Sequence, residues 1–329
     1  MKRRSLLQTS LALAATVVGA PATLAQTAPS GRPITIYVPY PAGGVSDAQS
    51  RTVAPLLSKA LGQTVVVENL TGASGSIAAQ KMLSSPADGH SLMVVSPSET
   101  ILAPLIIAGL KYKAEDFRLL AAGIVAPTVL IARPTLEANN VNELVAYAIS
   151  KTNKELSYGS FGLGSMPHLT AEDFRQRTGA RLFQVPYRGG APMLQDLMAG
   201  QIDVAFMPFV GGILGMVASG KLKVIGLATP TRLPALAQYP VLNDHPALKD
   251  FNYPVWSTFA VSKAVPDETA ARLNKTLNEI MQLPEVQVWG KAAGFSVPES
   301  ASLKGVADFY QAETAKIRAL AKSVNLQAQ

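Results

Sequence analysis

The chain has 329 residues, 48% of them hydrophobic and 16% charged, with no cysteine and a formal net charge of +7. Without cysteine there is no disulfide and no lipid attachment point, so stability must come from an apolar core. The positive charge suits a small anionic ligand, but no dense Lys/Arg stripe interleaved with aromatics argues for nucleic acid.

The first residues read as an export signal. Lys2, Arg3 and Arg4 form a basic start, and Leu11 to Ala20 is an apolar run too short to span a bilayer. Ala20-Pro21-Ala22 and Thr23-Leu24-Ala25 both present small residues suited to cleavage, so residues 1–25 are expected to be removed on export by the Sec or Tat route. The expected location is the periplasm of a Gram-negative bacterium. No later stretch is long and apolar enough to cross a membrane. About 300 remaining residues suggest two domains.

The elements then alternate between strand and helix. Ile34–Val38 is a strand. A helix follows with Val53, Leu56, Leu57 and Leu61 on one face, Pro55 as a bend and Gly62 as its stop. Val65–Glu68 and Ser91–Val95 are strands around a helix near Ile77–Ser84. Val129–Ala132 is a strand that crosses between domains. After it come a helix near Val141–Ser150, strand Leu156–Gly159, helix Leu169–Thr178, strand Leu182–Pro186, helix Ala191–Ala199, and strands Asp203–Met207 and Val224–Ala228. Thr229–Pro254 is proline-rich and reads as a long connection. Trp256–Val261 is a strand returning to the first domain, and two helices close the chain, near Asp267–Met281 and Lys304–Val324. The pattern predicts an α/β fold with mainly parallel sheets in two lobes: residues 31–125 with 230–329, and residues 126–229. Two crossings make a hinge, and the hinge makes a cleft.

Three strand-to-helix junctions share one design. The first runs through Pro41, Ala42, Gly43, Gly44, Val45, Ser46 and Asp47. Its glycines permit close backbone approach, Ser46 or Asp47 can cap the helix, and Arg51 can pair with Asp47 on one face. The second runs from Gly159 through Ser160, Gly162, Gly164 and Ser165 to His168, with Ser165 as cap and Pro167 in the first helical turn. The third is Tyr187-Arg188-Gly189-Gly190, where Tyr187 can donate through its hydroxyl and Arg188 can pair with a carboxylate. Each junction aims backbone N–H groups and a helix dipole at one spot, which suits an anion.

Chemistry beyond binding finds little support. His90, His168 and His245 show no metal-ligand spacing, and no G-x-S-x-G elbow, P-loop or dinucleotide fingerprint is present. No metal or cofactor is expected, and the chain reads as a binder rather than an enzyme. A secreted hydrolase using Ser165, or a ligand sensor for a membrane kinase, are the alternatives.

At these junctions the chain resembles the periplasmic receptors of tripartite tricarboxylate transporters, the Bug/TctC family. The matching pieces are ITIYVPYPAGGVSDAQSR, GQTVVVENLTGASGSIAAQ, ADGHSLMV, LSYGSFGLGSMPHLTAEDF, VPYRGGAPMLQDLMAGQIDVAF and GKLKVIGLAT, which span nearly all of the chain after the export signal. The resemblance implies a two-lobed, flytrap-like periplasmic-binding fold that closes on an organic carboxylate. It implies that the loops Pro41–Asp47 and Ser160–His168 hold that carboxylate by main-chain amides and ordered waters. Ser74 in the Gly72–Ser76 loop and Ser98 in Ser96–Glu99 would extend the first-lobe wall; Tyr187–Gly189 and Met207–Phe209 would extend the second. Leu163, Met207 and Phe209 make that expected rim apolar, which speaks against a highly charged, citrate-like ligand. The implied partners are the membrane subunits of such a transporter, with the receptor itself a monomer.

Overall fold

A computed structural model describes residues 31–326. The expected export signal lies outside the described residues. The first stretch comprises β1 (Ile34–Val38), α1 (Val45–Leu61), β2 (Val65–Asn69), α2 (Ser76–Ser84) and β3 (Ser91–Val95). A wide helical turn, Ser98–Leu102, runs into α3 (Ala103–Ile106), then β4 (Phe117–Leu119) and β5 (Ile124–Ala126). The middle holds β6 (Thr128–Ala132), α4 (Val141–Ile149), β7 (Leu156–Ser160), α5 (Met166–Thr178), β8 (Leu182–Pro186), α6 (Gly190–Met198), β9 (Val204–Pro208), α7 (Gly211–Ala218) and β10 (Lys223–Leu227). The chain then returns through β11 (Val255–Ser262), α8 (Asp267–Met281), α9 (Pro284–Ala292) and α10 (Leu303–Ser323).

Two sheets form, one per lobe. The first has the order β2-β1-β3-β11-β4, with β5 also pairing with β11; the second has the order β10-β6-β9-β7-β8. Strands followed by crossover helices pair in parallel: β1 with β2 and β3, and β7 with β8 and β9. The strands that carry the chain between sheets pair antiparallel: β11 with β3, β4 and β5, and β6 with β9 and β10. β1 sits between β2 and β3 with both faces covered, which explains its nearly continuous apolar run Ile34–Val38.

The core follows the layers. Ile36, Val38 and Leu92 pack with Leu57 of α1 and Leu277 of α8 on one face of the first sheet. Val129 and Ala205 pack with Met193 and Leu197 of α6 and Ile213 of α7 on one face of the second. The largest cluster spans both sheets, running from Met82, Met93 and Ile101 through Leu130 and Phe206 to Phe174 and Phe251. That continuous apolar contact ties the two lobes together.

The proline-rich connection is more ordered than its composition suggests. It holds three short 3-10 turns, and its end packs on the second lobe: Phe251 meets Phe174 and Phe206, and the Tyr253 hydroxyl donates to Asp173 at 2.6 Å. Three helices lie where the sequence pattern predicts none, α3, α7 and α9, as do the short strands β4 and β5. α7 carries three glycines in eight residues, which weakens its helical signal; α9 begins at Pro284, directly after α8, so three helices close the chain rather than two.

Candidate functional site

The first junction is sewn by side chains. Asp47, in the first turn of α1, accepts from Gly43 N at 2.9 Å, from Arg51 Nε at 3.0 Å and from Asn69 Nδ2 at 3.0 Å. Asn69 Nδ2 also donates to Tyr40 O at 2.9 Å. Burial opposes the Asp47 charge, but the Arg51, Gly43 and Asn69 hydrogen bonds outweigh it and hold its carboxyl below the usual aspartate range. The residue that caps α1 is Gly44, which has no side chain to offer, so Asp47 orders the loop from inside the helix instead. Gly43 sits at φ +82, with open space where a side chain would go. The first-turn amides of α1 have no carbonyl within the helix to bond. Val45 and Ser46, which carry two of them, border the cavity.

Behind this loop lies a buried polar floor. Glu99 is fully buried; its Oε2 accepts from Ser96 N at 2.6 Å and Ser96 Oγ at 2.8 Å, and its Oε1 has no partner. The Tyr112 hydroxyl donates to the Glu99 carbonyl at 2.8 Å. Burial raises the Glu99 carboxyl above the usual range despite its hydrogen bonds. The Tyr40 hydroxyl lies among Glu99, Ser98 and Ser96, and burial with the adjacent Glu99 charge pushes it well above the usual phenol range. Tyr40, Ser96 and Ser98 all border the cavity, so Glu99 stands one residue behind its wall.

The second junction is engaged mainly with the protein. Gly162 N donates to Ser160 Oγ, which also accepts from Gln184 Nε2. Gly164 N donates to His168 Nδ1 at 3.3 Å, which fixes the acceptor face of a ring whose pKa burial lowers. The Ser165 hydroxyl is buried and donates to Gly162 O at 2.7 Å, so it neither caps α5 nor meets a base. The α5 N-terminus is capped across the cleft: Met166 N donates to Ser98 Oγ of the first lobe at 3.0 Å. Ser74 Oγ reaches the same loop, donating to Leu163 O at 2.5 Å and approaching Phe161 O at 3.2 Å.

At the third junction, backbone contact dominates. A Cβ on Gly189 would lie 2.7 Å from Pro41 Cδ, so the loops after β1 and β8 touch only because this residue is glycine. The Tyr187 hydroxyl donates to Asp196 at 2.7 Å; burial and then this carboxylate push its pKa up to about 12. Arg188 is exposed and does not border the cavity.

Between the lobes lies a cavity of about 820 Å³. Of the residues singled out from the sequence, Gly43, Gly44, Val45, Ser46, Ser96, Ser98, Pro167, Gly190 and Met207 border it. Pro41, Ala42, Asp47, Ser74, Ser160, Gly162, Gly164, Ser165, His168, Tyr187, Arg188 and Gly189 do not; most of them shape the loops or the contacts between lobes. Much of the rest of the wall carries no sequence-level site signal: Leu194 and Met198 of α6, Ile213 and Met216 of α7, Trp289 of α9 and Phe295 just after it. The i, i+4 apolar spacing in α6 marks a helix face but not a site.

A tripartite tricarboxylate transporter family receptor model, TctC, matches residues 49–326. BugT of Bordetella pertussis is 31% identical over 260 residues, covering 76% of this chain and 77% of BugT. A second Bordetella pertussis relative, a UPF0065 protein, is 31% identical over 284 residues, covering 86% of each chain. Among solved structures, an R. palustris protein with adipate superposes with a TM-score of 0.83 at 27% identity, covering 91% of this chain and 99% of that one. The periplasmic binding protein BugD superposes with a TM-score of 0.81 at 26% identity, covering 90% and 99%. With two α/β lobes, a cavity between them and a family match over most of its length, this chain belongs to the TctC family of tripartite tricarboxylate transporter receptors.

Proposed function

We propose that this protein is a periplasmic receptor that captures an organic carboxylate between its lobes and passes it to the membrane subunits of a tripartite transporter. The observation that carries the reading is the α1 N-terminus: Gly43, Gly44, Val45 and Ser46 open onto the interlobe cavity, with their loop held in shape by Asp47. Unbonded first-turn amides and the helix dipole favour an anion there. The family match and the adipate in the R. palustris relative support a carboxylate as that anion. A few charge-assisted hydrogen bonds of about 1.5–3 kcal/mol each, less the cost of association, reach roughly −8 kcal/mol, a micromolar affinity.

Binding without turnover is part of the reading, since the Ser165 hydroxyl is spent on Gly162 O. Thermal shift against a carboxylate panel, with product formation followed in the same samples, tests it. Stabilisation with no product is expected; turnover lost in Ser165→Ala would overturn it. For delivery, ligand-dependent crosslinking to the membrane subunits is expected, and equal crosslinking with and without ligand would contradict it.

A further inference from the structure

The cavity is polar at one end and apolar along its length. Gly189 packs on Pro41, which sets the first turn of α6 beside the loop that opens α1. From there Gly190, Leu194 and Met198, four residues apart, all border the cavity. The cavity therefore follows one face of α6 for two turns, roughly 12 Å. Ile213 and Met216 of α7, with Trp289 near the end of α9, add to this apolar wall.

Among the described residues, no Lys, Arg, His, Asp or Glu borders the cavity. Several of its hydroxyls are already spent: Thr128 donates to Tyr253 O, Thr170 to Met166 O and Ser257 to Gln49 Oε1. Where α7 meets the cavity, Gly211 N donates to Ala293 O and Ile213 N to Val210 O, which leaves the neutral Gly212 amide between them. Gln195 is the polar side chain that α6 contributes. A second carboxylate along this wall would lose its water and gain no cation in return. The volume, about 820 Å³, is that of a pocket for a sizeable organic molecule rather than a four-carbon acid.

Resting on the reading that an anion sits at the α1 N-terminus, we propose that the ligand class is a monocarboxylate with an extended apolar body lying along α6. Dicarboxylates of the same length are disfavoured because the wall offers their second charge no cation.

Titration calorimetry on the whole protein tests this with hexanoate, octanoate and decanoate against adipate, suberate and sebacate. Affinity is expected to rise about fourfold per added methylene in the monoacids. Each diacid is expected to bind at least tenfold more weakly than its monoacid. Met198→Arg, which places a cation on the α6 wall, is expected to narrow or reverse that ratio. Diacids binding as well as or better than monoacids to the wild-type protein would overturn the proposed class while leaving the carboxylate reading intact. Failure of every acid to bind would overturn both.

Discussion

The hydroxyl of Ser98 accepts the backbone N–H of Met166 at 3.0 Å, so a side chain of one lobe caps a helix of the other. The bond exists only when the lobes are together. Ser98→Ala removes a cap whose usual contribution is about 0.5–2 kcal/mol. The loss falls on the closed form, so ligand affinity is expected to drop roughly two- to thirtyfold, by that energy converted at about 1.4 kcal/mol per decade. Small-angle scattering is expected to show a more open average shape for the variant. Unchanged affinity and shape would remove Ser98 from the closure.

Gly43→Val addresses the anion end. The backbone there has φ +82, a conformation that costs a β-branched residue about 1–2 kcal/mol. No protein atom lies within 4 Å of the added Cβ, so the side chain occupies open space at the cavity mouth. Binding is expected to fall more than tenfold, while circular dichroism reports an intact fold and a modestly lower Tm. Retained binding would place the anion elsewhere.

Asp47→Ala leaves Gly43 N without its acceptor and frees Arg51 and Asn69. The expected stability loss at neutral pH is about 0.5–1.5 kcal/mol, the usual net contribution of an intramolecular hydrogen bond, because Gly43 and Arg51 are exposed and water replaces the lost acceptor. The native carboxyl titrates below its unfolded value, so this contribution is complete above the unfolded pKa and disappears as pH falls through the native one. Denaturant melts of wild type and variant are therefore expected to converge in strong acid.

Glu99 has the opposite sign. Burial raises its native pKa, so its protonated form is favoured on folding. Stability linked to it is complete below the unfolded pKa and is lost as pH rises through the native value. The groups around it are Tyr40, Tyr112 and Tyr310, and among the described residues no basic side chain pairs with it. Glu99→Gln is expected to leave acid stability unchanged and to raise stability at neutral pH by about 1–3 kcal/mol, the cost of an unpaired buried group. Anion binding is expected to weaken with rising pH in wild type and to lose that dependence in the variant. Melts and titrations at matched pH values check both.

The β1–α1 junction was legible because three local signals agree: an apolar run, a Pro/Gly break and a first-turn Asp with Arg four residues on. The order of the longer strands and most of the helices followed from the same alternation, while α3, β4, β5, α7 and α9 did not. What escaped was contact between distant segments. Asn69 is an ordinary strand-end residue until the fold sets it against Asp47. Ser74 and Ser98 were expected to extend the first-lobe wall; Ser98 borders the cavity and Ser74 does not, and both hydroxyls bond backbone of the other lobe. The amides of Ser160–His168 looked free in sequence, yet Gly162, Gly164 and Met166 each have a side-chain acceptor. α7 was hidden by its glycines, which lower helix propensity while tertiary packing holds the helix.

The central claim is that a carboxylate is gripped between the lobes by the amides at the start of α1. Titration calorimetry of the wild-type protein with decanoate and with methyl decanoate tests it most directly, because the ester keeps the apolar body and lacks the charge. One saturable site for the acid, with the ester at least a hundredfold weaker, is the predicted result. Equal binding of acid and ester, or no binding of any carboxylate, would contradict the account.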